Sequence, residues 1–120
     1  MAEKDDLGRA GEDCAAEYLE RKGYKVLARN WRGERGEIDL VVARGQSLVF
    51  VEVKTRRTEL FGHPLEAIGI LKLRRIWRLA WQWCAAHPAE AKGRSVRVDA
   101  VGITGVDNLS AKIEHLEDLR

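Results

Sequence analysis

The stretch GEIDLVVARGQSLVFVEVKTR, residues 36–56, sets three carboxylates into the most hydrophobic runs of the chain. Residues 37–43 and 47–54 read as two strands, with RGQS as the turn between them. A turn centred between Gly45 and Gln46 sets Arg44 across from Ser47, Val41 from Phe50, Asp39 from Glu52 and Glu37 from Lys54. Side chains alternate faces along a strand. Glu37, Asp39, Glu52 and Lys54 then share one face, which Val41 and Phe50 continue toward the turn. Ile38, Leu40, Val42, Val49, Val51 and Val53 cover the other face. Directly opposed carboxylates repel, and burying them is costly unless something compensates. They can share a proton, pair with a cation or bind a metal. A hard divalent ion suits oxygen ligands, and Mg2+ commonly takes only one or two protein carboxylates while keeping its waters. Lys54 could neutralise a carboxylate or touch a metal-bound water and a phosphate. The bland alternative is an ordinary Glu37–Lys54 cross-strand pair with Asp39 and Glu52 solvated. A bulge would move all of these pairings.

Outward from the hairpin, residues 5–22 read as a helix. Leu7, Ala10, Gly11, Cys14, Ala15, Tyr18 and Leu19 form its apolar face, Asp5 or Asp6 caps its start and Gly23 ends it. Glu12 falls at the edge of the apolar arc and can look past the helix toward whatever it packs on. Residues 24–31 alternate as a first strand. Residues 55–67 carry Gly62 and Pro64 and read as a loop. A second helix over 68–86 carries an apolar stripe of Ile70, Leu73, Ile76, Trp77, Ala80 and Trp83. AHPAEAKGR reads as a linker, SVRVDAVGI as a strand and AKIEHLED as a last, edge strand. The order α-β-β-β-α-β-β gives a single α/β domain over residues 1–120.

The 120 residues are enough for one core, and 45% are hydrophobic. No apolar run approaches the roughly 20 residues of a membrane helix, and the N-terminus lacks a signal peptide's apolar stretch. A cytoplasmic protein with no membrane partner is expected. Cys14 and Cys84 lack metal-ligand spacing and are expected to be reduced and packed. The net charge of +2 is small, but Arg29, Arg32, Arg35, Lys54, Arg56, Arg57, Lys72, Arg74, Arg75 and Arg78 crowd the middle of the chain. A basic centre is either a nucleic-acid footprint or a solvated face.

An acid on one strand followed by E-x-K on the next resembles the core of the restriction-endonuclease-like nuclease superfamily. Here the pattern is Asp39, then Glu52-Val53-Lys54. More closely, LGRAGEDCAAEYLERKGYKVLARNWRGERGEIDLVV, LVFVEVKTR and VRVDAVGI resemble the YraN family of small bacterial proteins, which is considered similar to Holliday-junction resolvases. The likeness spans nearly the whole chain. It implies a restriction-endonuclease-like fold, a central mixed β-sheet with a catalytic β-hairpin flanked by helices. By similarity, Asp39 and Glu52 bind a divalent metal, Mg2+ or Mn2+, Lys54 assists at the water or scissile phosphate, and the helical Glu12 completes the site. Ile38 stands where many restriction-type nucleases have Pro.

Three acids, a Lys and a metal make a plausible phosphodiesterase site, because a metal acidifies the nucleophilic water and a fixed cation stabilises developing charge. Arg35, Arg56, Arg57, Lys72 and Arg75 are the expected nucleic-acid contacts, through phosphates rather than bases. Trp77 and Trp83 are read as core, and Trp81, off the stripe, as an interface or stacking residue. His63, His87 and His115 are read as surface histidines. The expected function is a metal-dependent endonuclease acting on DNA, with branched or junction DNA as one candidate. A homodimer would suit paired cuts in such a substrate, with residues 55–67 as one docking segment. The alternatives are a nucleic-acid-binding protein that keeps the fold without cleaving, and an interaction domain whose acids are structural.

Overall fold

A computed structural model describes residues 2–58, 64–105 and 111–120. Along the chain run α1 (Ala2–Arg21), β1 (Lys25–Gly33), β2 (Gly36–Arg44), β3 (Ser47–Arg56), a 3-10 turn (Pro64–Ala67), α2 (Ile70–Ala86), α3 (Pro88–Ala91), β4 (Ser95–Thr104) and β5 (Lys112–Leu116). The helix α1 begins earlier than expected, so Asp5 and Asp6 lie inside it rather than at its cap. Ala, Glu and Lys are strong helix formers and carry it forward. Its end follows expectation. Gly23 adopts φ +92, and the amides of Gly23 and Tyr24 return to the carbonyls of Glu20 and Leu19, closing a Schellman motif. The expected linker contains α3, which Pro88 starts at a position where a missing N–H costs nothing. Of the expected 55–67 loop, Thr55 and Arg56 extend β3, and residues 64–67 form the 3-10 turn. Residues 59–63, with His63 and Gly62, lie outside the described residues.

The five strands form one mixed sheet in the order β1-β2-β3-β4-β5. The pairs β1–β2, β2–β3 and β4–β5 are antiparallel. β3 and β4 are parallel along their whole length, from Ser47 opposite Ser95 to Arg56 opposite Thr104. A parallel pair needs a crossover connection, and α2 lies within it.

Strand alternation divides the core between the two faces. Leu40, Val42, Val49, Val51 and Val53 pack under α1 with Ala15, Ala16 and Leu19. Val41, Ala43, Leu48 and Phe50 pack under α2 with Ile76, Leu79, Ala80 and Trp83. Each such large apolar side chain contributes about 1.5–3 kcal/mol on full burial. Phe50 and Trp83 meet edge to face with ring centroids 5.7 Å apart, a geometry aromatic rings favour. Ile38 departs from the expected alternation and joins the α2 cluster. It lies beyond the end of the β2–β3 ladder, which stops at Leu40 opposite Val51.

Two close approaches fix the helices over the sheet. A Cβ on Gly11 would sit 2.0 Å from Thr55 Oγ1, so α1 rests directly on the end of β3. On the other face, Leu79 inserts between Gly33 and Gly36, where added Cβ atoms would lie 2.8 and 2.9 Å from its methyls. Glycine at these two positions lets α2 seat against the tip of the β1–β2 hairpin.

Candidate functional site

The expected register holds from Arg44–Ser47 to Leu40–Val51 and then ends. Asp39 supplies the reason. Its Oδ2 accepts the Val53 backbone N–H at 2.8 Å, so a side chain satisfies a group that a strand carbonyl would otherwise meet. The strands part there, and Asp39 and Glu52 line one pocket of about 180 Å³ between the sheet and α2. The two carboxylates share a pocket and a face, as expected, although they are not a ladder pair.

The expected Glu37–Lys54 pairing is not formed. Glu37 lies opposite Arg32 on β1, and its Oε2 accepts from the Arg32 guanidinium at 3.2 Å. The β1–β2 ladder continues to Gly33–Gly36 after the β2–β3 ladder has ended, so the neighbour of Glu37 comes from β1. Glu37 remains on the rim of the pocket.

Glu52 is 8% exposed and is held by two ammonium groups. Lys72 Nζ lies 2.8 Å from Glu52 Oε2, and Lys54 Nζ lies 3.6 Å from the same oxygen. Burial lowers the Lys54 pKa, and contact with the like-charged Lys72 lowers it further, against the pull of Glu52 and Asp39. Burial opposes ionisation of Lys72 as well, but its hydrogen bonds to Glu52 and Lys54 and the charges of Glu52 and Asp39 together outweigh this and raise its pKa. Asp39 is in the opposite condition. Burial and the charge of Glu52 push its pKa up to about 7, Glu12 adds to the rise, and the Val53 amide and Lys54 oppose it.

Among the described residues no cation forms an ion pair with Asp39. An incompletely compensated carboxylate beside a second one is a donor set that fits a hard divalent ion with retained waters. No group of three or more His, Cys, Asp and Glu side chains is arranged to hold a metal among the described residues. Glu12 explains part of this. It sits half-buried on α1, over the other face of the sheet, and does not line the pocket. Its charge reaches Asp39, while on the pocket itself Asp39 and Glu52 stand together and Glu37, on the rim, is paired with Arg32.

The expected nucleic-acid contacts separate. Lys72 turns inward to Glu52 rather than outward to a phosphate. Arg75 is exposed and lines the pocket. Arg35 is exposed at the β1–β2 turn with φ +59. Arg56 is half-buried at the end of β3 and donates to the Thr55 carbonyl at 3.2 Å, and Arg57 follows it, exposed. The inward turn of Lys72 has a sequence signal: Lys72, Ile76, Leu79 and Trp83 recur at helical spacing, and the last three are buried. A lysine continuing a buried stripe must find an acid on the facing sheet.

Trp83 is 1% exposed, Trp77 is half-buried and Trp81 is 56% exposed, in line with the expected division. Cys14 and Cys84 are free thiols, both half-buried. The histidine readings need correction. His87 is half-buried, stacked on Trp83 at 4.1 Å between ring centroids. The His115 side chain is 5% exposed, and its Nε2 donates to Asp99 Oδ2 at 2.7 Å. The Tyr18 hydroxyl lies 3.0 Å from His115 Nδ1. Asp99, absent from the sequence-based site, is fully buried and also accepts from Arg97 and from the Asp118 amide. Burial alone would raise its pKa, but these donors outweigh burial and hold it below the ordinary range. With Arg97 hydrogen-bonded to the Tyr24 hydroxyl, the group ties β4 and β5 to the end of α1. It is a satisfied structural network.

Comparison with known proteins places residues 11–103 in a match to the uncharacterised protein family UPF0102. A UPF0102 protein of Beutenbergia cavernae is 49% identical over 116 residues, covering 97% of both chains. UPF0102 proteins of Arthrobacter sp. (strain FB24) and Leifsonia xyli subsp. xyli are each 47% identical over 116 residues, again with 97% of both chains covered. Among the described residues, no helix is long and apolar enough to cross a membrane.

Proposed function

The chain belongs to the UPF0102 family, and we propose that it is a divalent-metal-dependent endonuclease that hydrolyses phosphodiester bonds in DNA, on a sheet of the restriction-endonuclease-like kind. The observation that carries this reading is the shared pocket of Asp39 and Glu52, with Lys54 and Lys72 against Glu52. Asp39 and Glu52 would hold Mg2+ or Mn2+, with Glu12 contributing its charge from α1. The ion, when bound, would acidify a water and offset charge on the phosphoryl oxygens.

The chain's own residues do the rest. The Val53 amide fixes the orientation of Asp39 through its Oδ2. Lys72 fixes Glu52 by the shorter of its two ion pairs. Lys54, at the longer distance and with its pKa lowered, is the cation free to turn toward a phosphoryl oxygen or the attacking water. Arg75 on the pocket rim gives the flanking phosphate a partner. These groups would meet phosphates rather than base edges, so the reading favours selection by backbone and shape.

One observation favours a second reading, a nucleic-acid-binding protein that does not cleave. Glu52 is already satisfied by two ammonium groups, Glu37 on the pocket rim is paired with Arg32, and among the described residues no group of three or more ligating side chains is arranged to hold a metal. Cleavage of labelled linear, flap and four-way-junction DNA with Mg2+ or Mn2+, against a chelator control, separates the two. Metal-dependent products support the nuclease. Binding with no product on any substrate supports the second reading.

A further inference from the structure

Two hollows lie along α2 where it faces the β1–β2 hairpin, the pocket of Asp39 and Glu52 and a second one farther along the helix. Lys72, Arg75 and Leu79 of α2 border the acidic end. Gln82, Ala85 and Ala86, the next positions on the same side of the helix, border a second, wider and shallow cleft open to solvent. Leu79, seated between Gly33 and Gly36, marks the boundary. The wider cleft is walled by the half-buried Trp31, with Arg32 on its rim. Between the two clefts the hairpin turn is strapped to the helix. Arg78 donates to the carbonyls of Glu34 and Arg35 at 2.7 and 3.4 Å, and Glu34 N–H donates to Gln82 Oε1 at 3.0 Å.

The charge along this boundary is mainly positive. Arg35, Arg75 and Arg78 are all exposed, and among the described residues none of them forms an ion pair with a carboxylate. Of the acids beside them, Glu37 on the pocket rim is paired with Arg32, and Glu34 borders the wider cleft. Three cations against one unpaired acid, between the pocket and a surface bordered by Trp31, complement a polyanion that carries flat rings. Resting on the nuclease reading, we propose that the Trp31 cleft receives an unpaired base of the nucleic-acid substrate, its backbone crossing the Arg35–Arg75–Arg78 ridge to the acidic pocket. From Arg75 to Ala85 the helix rises roughly 15 Å, about four steps of a stacked strand at roughly 3.4 Å each. The favoured substrate is therefore DNA with a single-stranded segment a few nucleotides from the scissile phosphate, not a fully paired duplex. An aromatic wall takes any base, because every base has a stacking face.

The test is binding without chemistry. Fluorescein-labelled blunt duplex, and the same duplex with single-stranded arms, are titrated by anisotropy in chelator with the Asp39→Asn chain and its second-site variants. The armed DNA is expected to bind about tenfold tighter than the blunt DNA. Trp31→Ala should abolish that preference and leave blunt-duplex affinity unchanged, Ala85→Glu should abolish it while its charge weakens both DNAs, and Trp31→Phe should retain it. Ala85 is exposed, so its variant fills the cleft without touching the core if Trp31→Ala fails to fold. Equal binding of armed and blunt DNA, or a preference that survives Ala85→Glu, overturns the proposal. A protein that prefers arms but never cleaves fails the nuclease reading alone. One that cleaves with no preference fails this inference alone.

Discussion

Replacing Asp39 by Asn should make the metal-free protein more stable and inactive at once. The perturbation keeps the shape of the side chain, and an amide oxygen can still accept the Val53 N–H that Asp39 accepts at 2.8 Å. What it removes is a charge raised by burial and by Glu52 from an ordinary 3.8 to about 7. At 1.36 kcal/mol per unit of pKa, that rise corresponds to roughly 4 kcal/mol of unfavourable ionisation. An amide must also be buried there, so the expected gain is smaller, about 1–3 kcal/mol. The sign follows from linkage. The folded protein holds this proton more tightly than the unfolded chain. The Asp39 penalty is therefore absent below the unfolded pKa, grows as pH rises through the interval from 3.8 to about 7, and is complete above it. Urea denaturation of both proteins in chelator, across pH, reads the difference directly. The two midpoints should coincide near the acid end and separate toward alkaline pH, with Asp39→Asn the more stable. A variant equal to or weaker than the native chain above neutrality, or a gap that does not change with pH, would refute the reasoning.

Three further outcomes are expected. Asp99→Ala removes a fully buried carboxylate that serves His115, Arg97 and the Asp118 amide. It should cost about 3–5 kcal/mol in urea denaturation, while a loss under 1 kcal/mol would show the network to be incidental. Gly11→Ala places a Cβ 2.0 Å from Thr55 Oγ1 and should destabilise by about 1–3 kcal/mol despite the better helix propensity of Ala. Adding Thr55→Ala should recover most of that loss, and a stabilised Gly11→Ala would contradict the close approach. Lys72→Ala removes the like charge that lowers the Lys54 pKa, so NMR titration of Lys54 should move upward. An unchanged Lys54 titration would mean that the two ammonium groups do not interact.

The hairpin was legible because two strands buried on both faces leave little freedom in register. One slipped residue would exchange the α1-facing valines for the α2-facing Phe50 and Leu48. That same alternation carried Glu52 onto the face of Phe50 and Asp39 onto the face of Val41. The partner of Glu37 was not legible, because β2 has two neighbours and only one of them had been assigned a register. Nor was the end of the ladder at Leu40, which depends on Asp39 taking the Val53 amide. Lys72 carried a readable signal, since it continues the buried stripe of α2 by one turn. Among ten clustered cations, its position on the helix distinguished it where its charge did not. The separation of Glu12 from the pocket was not legible, because only the packed structure shows that α1 and the pocket lie on different faces of the sheet. His115 was misread because edge-strand polar residues ordinarily face water. Its burial depends on Asp99, which lies 16 residues earlier, and on Tyr18 of a distant helix.

The central claim is that one pocket, built from Asp39, Glu52 and Lys54, hydrolyses DNA with a divalent ion. The most direct measurement is the single-turnover cleavage rate on the best of the linear, flap and junction substrates, with Mg2+ or Mn2+. Native protein is compared with Asp39→Asn and Lys54→Ala prepared identically. Each variant should lose at least about 100-fold in rate, the scale seen when one fixed electrostatic group is removed, while still binding the substrate. Equal rates in all three proteins would contradict the claim and assign the cleavage to something other than this site.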